Sequence, residues 1–409
     1  MFKGIFMKTT PANTPLKVLF LPALYPHKRD SMFGLFVRKH ALAVRNHCRV
    51  LVLHTHPSPE ESKITFNTHK EGNLTEITVY FPHKNQGLAN RTKNLLQWYK
   101  ATKMGFRLMK KEWGLPDITH VHIITRIAIP ALWLKIFHRI PFVVTEHWSR
   151  YLDANNLALG RISKIFTRRI IRASSNLGVV SARLGESMRR QGLCRHYSLT
   201  PNVVNTELFK PATKKINAPV KTMVHISCFE EKSKNMSGIL KAVKNLSQQR
   251  QDFRLKMIGT GVDLQKSIEQ AKELNIYNTF VEFEGLKEGR ELSEILAQAD
   301  FSLLVSHYET FGIVVYESLA CGVPVLVSDV ADFKKDISPQ FGHVIKNNTP
   351  ESITEGMNRM LSEHNTFNPE DMRKFVVSNF SEKYVGMKIC QLYEQILGIT
   401  NNTRTKSDA

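Results

Sequence analysis

Apolar positions along this 409-residue chain fall into short unbroken runs, separated by longer stretches where they recur every three or four residues. The first run is Lys17-Val18-Leu19-Phe20-Leu21, closed by Pro22. Continuous rather than alternating apolar character marks a strand buried on both faces, as in a parallel sheet. After a loop ending at Gly34, helical spacing takes over from about Leu35 to Arg45. Further strands are expected at 49–54, 75–81, 117–122, 141–145 and 177–180. The 117–122 strand is expected at an edge or end of its sheet. Helices are expected over Arg91–Trp113, Ala128–Phe137 and Gly160–Ala173. A turn-rich stretch from Thr200 to Pro211 then breaks the alternation, and a second series of strands follows at 222–227, 255–259, 279–283, 301–305 and 323–327. A last helix spans Glu382 to Leu397. The pattern predicts an α/β chain of two doubly wound, Rossmann-like domains facing a central cleft at their strand C-termini.

Charge is placed very unevenly. The chain carries 57 Lys and Arg against 36 Asp and Glu, a formal net charge of +21. Residues 1–200 hold 32 basic and 10 acidic residues, and residues 201–409 hold 25 and 26, so the excess lies in the first half. Such an asymmetry concerns partners rather than fold. In Arg91–Trp113, lysines and arginines interleave with Leu95, Leu96, Trp98, Tyr99 and Phe106; in Gly160–Ala173, Arg161, Lys164, Arg168 and Arg169 flank Ile165, Phe166 and Ile170. Two basic amphipathic helices in one domain point to an anionic membrane surface. No nucleic-acid motif or stacking platform accompanies them, which stands against nucleic acid. The five cysteines form no CxxC pair, so a cytoplasmic location is expected, peripheral at the inner face of the membrane.

The densest chemistry lies between His307 and Asp329, which reads HYETFGIVVYESLACGVPVLVSD. Glu309 and Glu317 flank Phe311-Gly312; a helical pattern follows, stopped by Cys321-Gly322-Val323-Pro324, and then an apolar strand. This is a loop entering a helix N-terminus, where free N–H groups and the positive dipole end suit a diphosphate. Gly312 permits close backbone approach. Carboxylates beside a phosphate make sense when the same ligand carries hydroxyls, which acceptor-only groups bind well. A sugar nucleotide is such a ligand. Glu309 would meet the sugar and Glu317, about one turn into the helix, the ribose.

The segment resembles the donor-site motif of the family 4 retaining glycosyltransferases, also known as glycosyl transferases group 1, whose fold is GT-B. The resemblance runs from about Val18 to Leu397 and implies a donor site across several loops. Gly34 matches a glycine that lets a helix N-terminus approach the donor phosphate. Thr145-Glu146-His147 resembles a loop whose histidine lies near the transferred sugar, and Arg150 beyond it is a candidate for an anionic acceptor or a donor phosphate. Pro201-Asn202-Val203-Val204-Asn205 resembles the interdomain "PNGVD" turn, with Val203 for Gly and Asn205 for Asp. Ser227-Cys228-Phe229 with Lys234-Asn235 resembles the "GRL…KN" phosphate loop. Cys228 stands where the family has arginine, a change a thiol does not make good, with Lys232 as a nearby substitute. Gly259-Thr260-Gly261 resembles the glycine turn near the nucleotide, and Phe283-Glu284-Gly285 would border the base. His225, His120 and His122 read as structural.

The resemblance implies a nucleotide-diphosphate sugar (UDP- or GDP-linked) as donor, held by Lys234, Gly34, Gly259, the Phe311, Gly312, Ile313 and Val314 backbone and Glu317. Glu309, His147 and Lys234 would be the catalytic set. No Asp-x-Asp donor-site element is present, so no metal and no cofactor is expected. The acceptor would be a saccharide or a polyprenyl-diphosphate-linked sugar, as in surface polysaccharide or glycoconjugate synthesis. A non-hydrolysing sugar-nucleotide epimerase and a non-catalytic sugar-nucleotide or membrane-binding protein are the alternatives. The expected divisions are 1–15 as flexible leader, 16–208 as acceptor domain, 209–380 as donor domain, 381–398 as a C-terminal helix crossing back to the first domain, and 399–409 as disordered tail.

Overall fold

The computed structural model describes residues 15–84, 87–155, 160–213, 218–337 and 339–399. The expected leader, except residue 15, and the expected tail, except Ile399, lie outside the described residues.

Two sheets hold the described residues together. The first is built from β1 (Lys17–Pro22), β2 (Arg49–Ser58), β3 (Thr65–Glu71), β4 (Leu74–Pro82), β5 (Ile118–His122), β6 (Phe142–Glu146), β7 (Asn176–Val179) and β8 (Ser198–Leu199). Its order is β3-β4-β2-β1-β5-β6-β7-β8, parallel throughout except for the antiparallel β3–β4 hairpin at one edge. The second sheet holds β9 (Lys221–Ile226), β10 (Phe253–Ile258), β11 (Val281–Gly285), β12 (Phe301–Leu304), β13 (Val325–Ser328) and β14 (Gly342–Ile345), in the order β11-β10-β9-β12-β13-β14, all parallel. The strand at 117–122 corrects an expectation. It is not at an edge but lies between β1 and β6, buried along its whole length. The β3 hairpin, β8 and β14 add strands that the apolar runs did not announce.

Helices cover both faces. In the first half these are α1 (Leu35–Arg45), α2 (Leu88–Glu112), α3 (Ala128–His138), α4 (Arg161–Ala173) and α5 (Ala182–Arg190). The second half carries α6 (Glu231–Lys234), α7 (Met236–Ser247), α8 (Leu264–Glu273), α9 (Gly289–Gln298), α10 (Ile313–Ala320), α11 (Phe333–Asp336), α12 (Pro350–Glu363) and α13 (Pro369–Phe380). The final helix, α14 (Glu382–Leu397), starts where Ser381 accepts a hydrogen bond from the Tyr384 N–H and stops at the left-handed Gly398.

Each sheet has one place where strand order reverses. In the first, β1 has β2 on one side and β5 on the other; in the second, β9 has β10 and β12. Crossover helices leave these points in opposite directions, so a crevice opens at the strand C-termini. The loops after β1, β5, β9 and β12 therefore line the cleft.

Helix α14 returns to the first sheet. Val385, Ile389, Cys390 and Tyr393 share an apolar cluster with Val18, Phe20, Val37, Val44 and Val50. The Tyr393 hydroxyl meets His120 Nδ1 at 2.6 Å, and the Cys390 and Cys48 thiols are 3.2 Å apart. Gly386 lies so close to α1 that a Cβ would sit 2.3 Å from the Ala43 carbonyl oxygen. Alanine favours a helix interior by about 1 kcal/mol over glycine, but here the clash with backbone dominates. Gly386→Ala is therefore expected to lower stability by about 1–3 kcal/mol. A melting temperature equal to or above that of the wild type would contradict this packing.

Candidate functional site

The loop after β9 sets one wall of the cleft. Gly259 makes its path possible: at φ 135° it lies where a Cβ would be 1.9 Å from the Ser227 carbonyl oxygen. Gly261 is likewise pressed on the Phe229 backbone. This glycine turn thus braces the 227–229 loop from behind. The loop enters α6, whose last residue, Lys234, sends its ammonium onto the Glu309 carboxylate. Ser306 Oγ donates to the same carboxylate oxygen at 2.9 Å, and the His307 N–H donates to the Ser233 carbonyl at 2.8 Å, so the loop after β12 is tied to α6. Burial alone would pull the Lys234 ammonium down; the Glu309 carboxylate, with Cys228 and Glu230 nearby, outweighs it and holds its pKa above the ordinary lysine value. Cys228 is exposed beside this pair, and partial burial of its sulfur pushes the thiol up, against the pull of Lys234.

Helix α10 starts from left-handed Gly312, where a Cβ would strike the Phe333 ring at 2.4 Å. The Phe311 ring is turned into the core, stacked on Tyr316 at 4.6 Å, so only its backbone can serve a ligand. Ile313 and Val314 are half-buried. Glu317 follows, 4% exposed, with its carboxylate paired to Lys39 of α1 at 2.7 Å. The pair crosses the cleft between the two sheets.

The opposite wall is built on α1, β5 and β6. Gly34 caps α1 in a left-handed conformation and packs where a Cβ would be 2.4 Å from the Leu24 carbonyl carbon. In the first turn of α1, the Phe36 ring packs on His147, 4.8 Å between centroids. His147 Nε2 lies 3.1 Å from His122 Nδ1, and burial holds both rings well below the ordinary histidine pKa. Glu146 is fully buried. Its carboxylate accepts the Ile124, His147 and Trp148 N–H groups at 2.9, 3.0 and 3.0 Å. Burial pushes its pKa up to about 7 against those donors. Glu146 thereby shapes the loop that presents His147, a role its sequence neighbours do not signal. Arg150 donates to Ser163 Oγ at 3.0 Å and stacks on Trp148 and Tyr151.

The structure thus gathers Lys234, Cys228 and Glu309 on one wall, brings Glu317 to Lys39 across the cleft, and keeps His147 with Gly34 on the other wall. Among the described residues no hydrogen bond or ion pair joins His147 or Arg150 to the Lys234–Glu309 pair. Lys232 is exposed on α6. A cleft of about 550 Å³, lined by Arg183, Arg190, His307, Tyr308, Glu309 and Lys334 among others, opens beside Glu309. Its rim is tied shut on one side: Asp332 accepts the N–H groups of Ala182 and Arg183 at 2.6 and 2.9 Å, and Arg183 reaches the Asp329 carboxylate at 3.0 Å. In the interdomain turn, Asn205 Oδ1 accepts the Glu207 and Leu208 N–H groups at 3.1 and 2.9 Å, the acceptor work an aspartate would do.

Two family models divide the chain at one residue. The Glycosyltransferase Family 4 model matches residues 36–208, and the Glycosyl transferases group 1 model matches 208–376. The chain belongs to the group 1, family 4 glycosyltransferases. A glycogen synthase of Mycobacterium tuberculosis is 25% identical over 287 residues, covering 68% of this chain and 66% of that relative's own length. In fold, this glycosyltransferase is similar to a sucrose-phosphate synthase from Thermosynechococcus elongatus, with TM-score 0.70, 17% identity and coverage of 94% and 99% of the two chains. It is also similar to Anabaena HepE, solved in complex with UDP and glucose, with TM-score 0.69, 14% identity and coverage of 93% and 100%. The two facing sheets are the GT-B architecture.

Lys39 was not among the residues the sequence singled out. Its pair with Glu317 is largely buried, the two side chains 16% and 5% exposed. Removing one partner of such a pair leaves an uncompensated charge that the cleft can relieve by opening. Lys39→Ala is expected to shift closure by about 1–3 kcal/mol, roughly 5-fold to 150-fold in the closed-to-open ratio. Small-angle scattering should show a larger radius of gyration in the variant; an unchanged profile would mean that other contacts hold the cleft.

Proposed function

We propose that this glycosyltransferase moves a sugar from a nucleotide-diphosphate donor to a saccharide or lipid-linked acceptor, with retention at the anomeric carbon. The observation that carries the reading is the Lys234–Glu309 pair beside the N-terminus of α10, with Glu317 one turn further in. The donor diphosphate would lie against Lys234 and the N–H groups that open α10 and α1. Glu317 would accept the ribose hydroxyls once Lys39 turns away. Glu309 would hold the sugar, and the neutral His147 would hydrogen-bond it from the other wall. In the step itself the C1–O bond to the diphosphate breaks, its electron pair leaving on the phosphate oxygen. The acceptor oxygen forms the new bond to C1 on the same face, and its proton passes to the departing diphosphate. Lys234 and the helix dipoles stabilise the charge that develops there, so we propose that the diphosphate needs no metal. That Anabaena HepE is described with UDP and glucose supports a UDP-sugar as the first donor to try.

A lipid-linked acceptor is favoured by the outer face of the first domain. Leu95, Leu96 and Tyr99 of α2, Trp133, Ile136 and Phe137 of α3, and Ile162 and Ile165 of α4 are all exposed. Lys93, Lys100, Lys103, Arg107, Arg161 and Lys164 lie among them in sequence on α2 and α4. Apolar insertion beside cationic side chains is the chemistry of an anionic bilayer surface. Among the described residues no helix is long and apolar enough to cross a membrane, so attachment at the cytoplasmic face would be peripheral.

The test is a screen of UDP- and GDP-sugars by thermal shift and by release of free nucleotide, without metal and then with magnesium. One donor is expected to stabilise the protein and to be hydrolysed slowly without acceptor. Glu317→Ala should then raise KM about tenfold or more with kcat kept, whereas Glu309→Ala should lower kcat about 100-fold. Equal loss of donor binding in both variants would overturn this division of roles. An epimerised sugar nucleotide formed without acceptor would replace transfer by epimerisation.

A further inference from the structure

Three imidazoles meet behind the wall that carries His147. His40 comes from α1, His122 ends β5, and His147 follows β6. They are 0%, 0% and 6% exposed. Their ring centroids form a nearly equilateral triangle: 5.5 Å from His40 to His122, 5.4 Å from His40 to His147 and 5.4 Å from His122 to His147. Three imidazoles on one tetrahedral zinc, with metal–nitrogen bonds of about 2.0–2.1 Å, hold their centroids about 5 Å apart. One ring nitrogen of each histidine already lies within 4.8 Å of those of the other two.

Hydrogen bonding agrees with this geometry. His40 Nε2 lies 2.9 Å from the Pro201 carbonyl, an acceptor for a proton on that nitrogen. His122 Nδ1 and His147 Nε2 face each other at 3.1 Å, close to the separation of two nitrogens on one tetrahedral zinc, about 3.3 Å. A carbonyl behind a ring N–H, as Pro201 stands to His40, is how metal-ligating histidines are oriented.

We propose that His40, His122 and His147 form a three-histidine site for a divalent transition-metal ion of the zinc class. The ion would fasten α1 to the ends of β5 and β6. It is separate from the diphosphate wall of Lys234 and α10, which keeps its own cation. One consequence rests on the transfer reading above: an ion on His147 denies that ring to the donor sugar, so the metal inhibits.

The experiment uses the full chain without a histidine tag, stripped with chelator. It is titrated with zinc chloride by calorimetry and with cobalt chloride by visible absorption. One equivalent should bind, with the intense absorption of tetrahedral cobalt. His122→Asn should weaken binding about 100-fold or more, while the exposed His69→Asn should leave it unchanged. No one-to-one binding in the wild type overturns the site, as does full affinity in a folded His122→Asn variant. Should that variant fail to fold, the wild-type cobalt spectrum decides, and absence of the tetrahedral bands overturns the proposal. Zinc that binds without slowing donor hydrolysis overturns only the blocking of His147. A protein that hydrolyses no donor yet binds one zinc keeps the site and removes the transfer reading.

Discussion

The chain crosses between its two sheets twice, and the two crossings are fastened to each other. The Val204 N–H donates to the Phe380 carbonyl at 2.8 Å, and Val204 pairs with Ser381 as a short parallel bridge. Arg373 adds three bonds to the same junction, reaching the Thr206, Phe209 and Ala320 carbonyls at 3.0–3.1 Å. With both crossings held side by side, the strand-order reversals of the two sheets face one another. Every residue of the candidate site depends on that facing. Neither wall holds a complete set of groups: one has Lys234, Glu309 and Glu317, the other Lys39, Gly34 and His147.

Helix α1 couples the walls. Its first turn places Phe36 on His147, its second places Lys39 on Glu317 and His40 in the histidine cluster, and its back packs on α14. A shift of α1 therefore cannot leave the site unchanged. The tight approach of Gly386 to Ala43 makes α14 a backstop for that helix. The C-terminal helix, though last in the chain, thus bears on the cleft through packing alone.

How much of this was legible in the sequence depends on the range of the interaction. Local signals served well: Leu35–Arg45 and Glu382–Leu397 match the observed helices because Gly34, Ser381 and Gly398 mark their ends. The buried parallel strands announced themselves as unbroken apolar runs. Thr65–Glu71 did not, since its side chains are almost all exposed and polar, and its register comes wholly from β4. The central place of Ile118–His122 is likewise a matter of pairing partners 100 residues away. The motif around Glu309 and Glu317 pointed to the right helix start. Lys39, Glu146 and Asp332 were invisible as site residues because their roles come from burial or from partners across the fold, Glu317 and the first turn of α5 among them. Phe311 shows the converse: inside the motif, its side chain serves the core.

The cysteine at 228 sharpens the electrostatic argument. A thiol whose pKa is pushed up is neutral, so it brings no charge to the wall where the family resemblance expects arginine. Lys234 and Lys39 face the cleft, and each is already matched by a carboxylate. Within these two pairs the four charges cancel, so neither lysine is free to meet a dianion while the pairs hold. In the proposed reading, the ligand's hydroxyls would take over Glu309 and Glu317, which would free both ammonium groups for its phosphates. A bare diphosphate cannot perform that exchange, because it has nothing to offer the carboxylates. A diphosphate flanked by a ribose and a sugar can. On that reading the paired charges would favour the whole sugar nucleotide over a bare diphosphate.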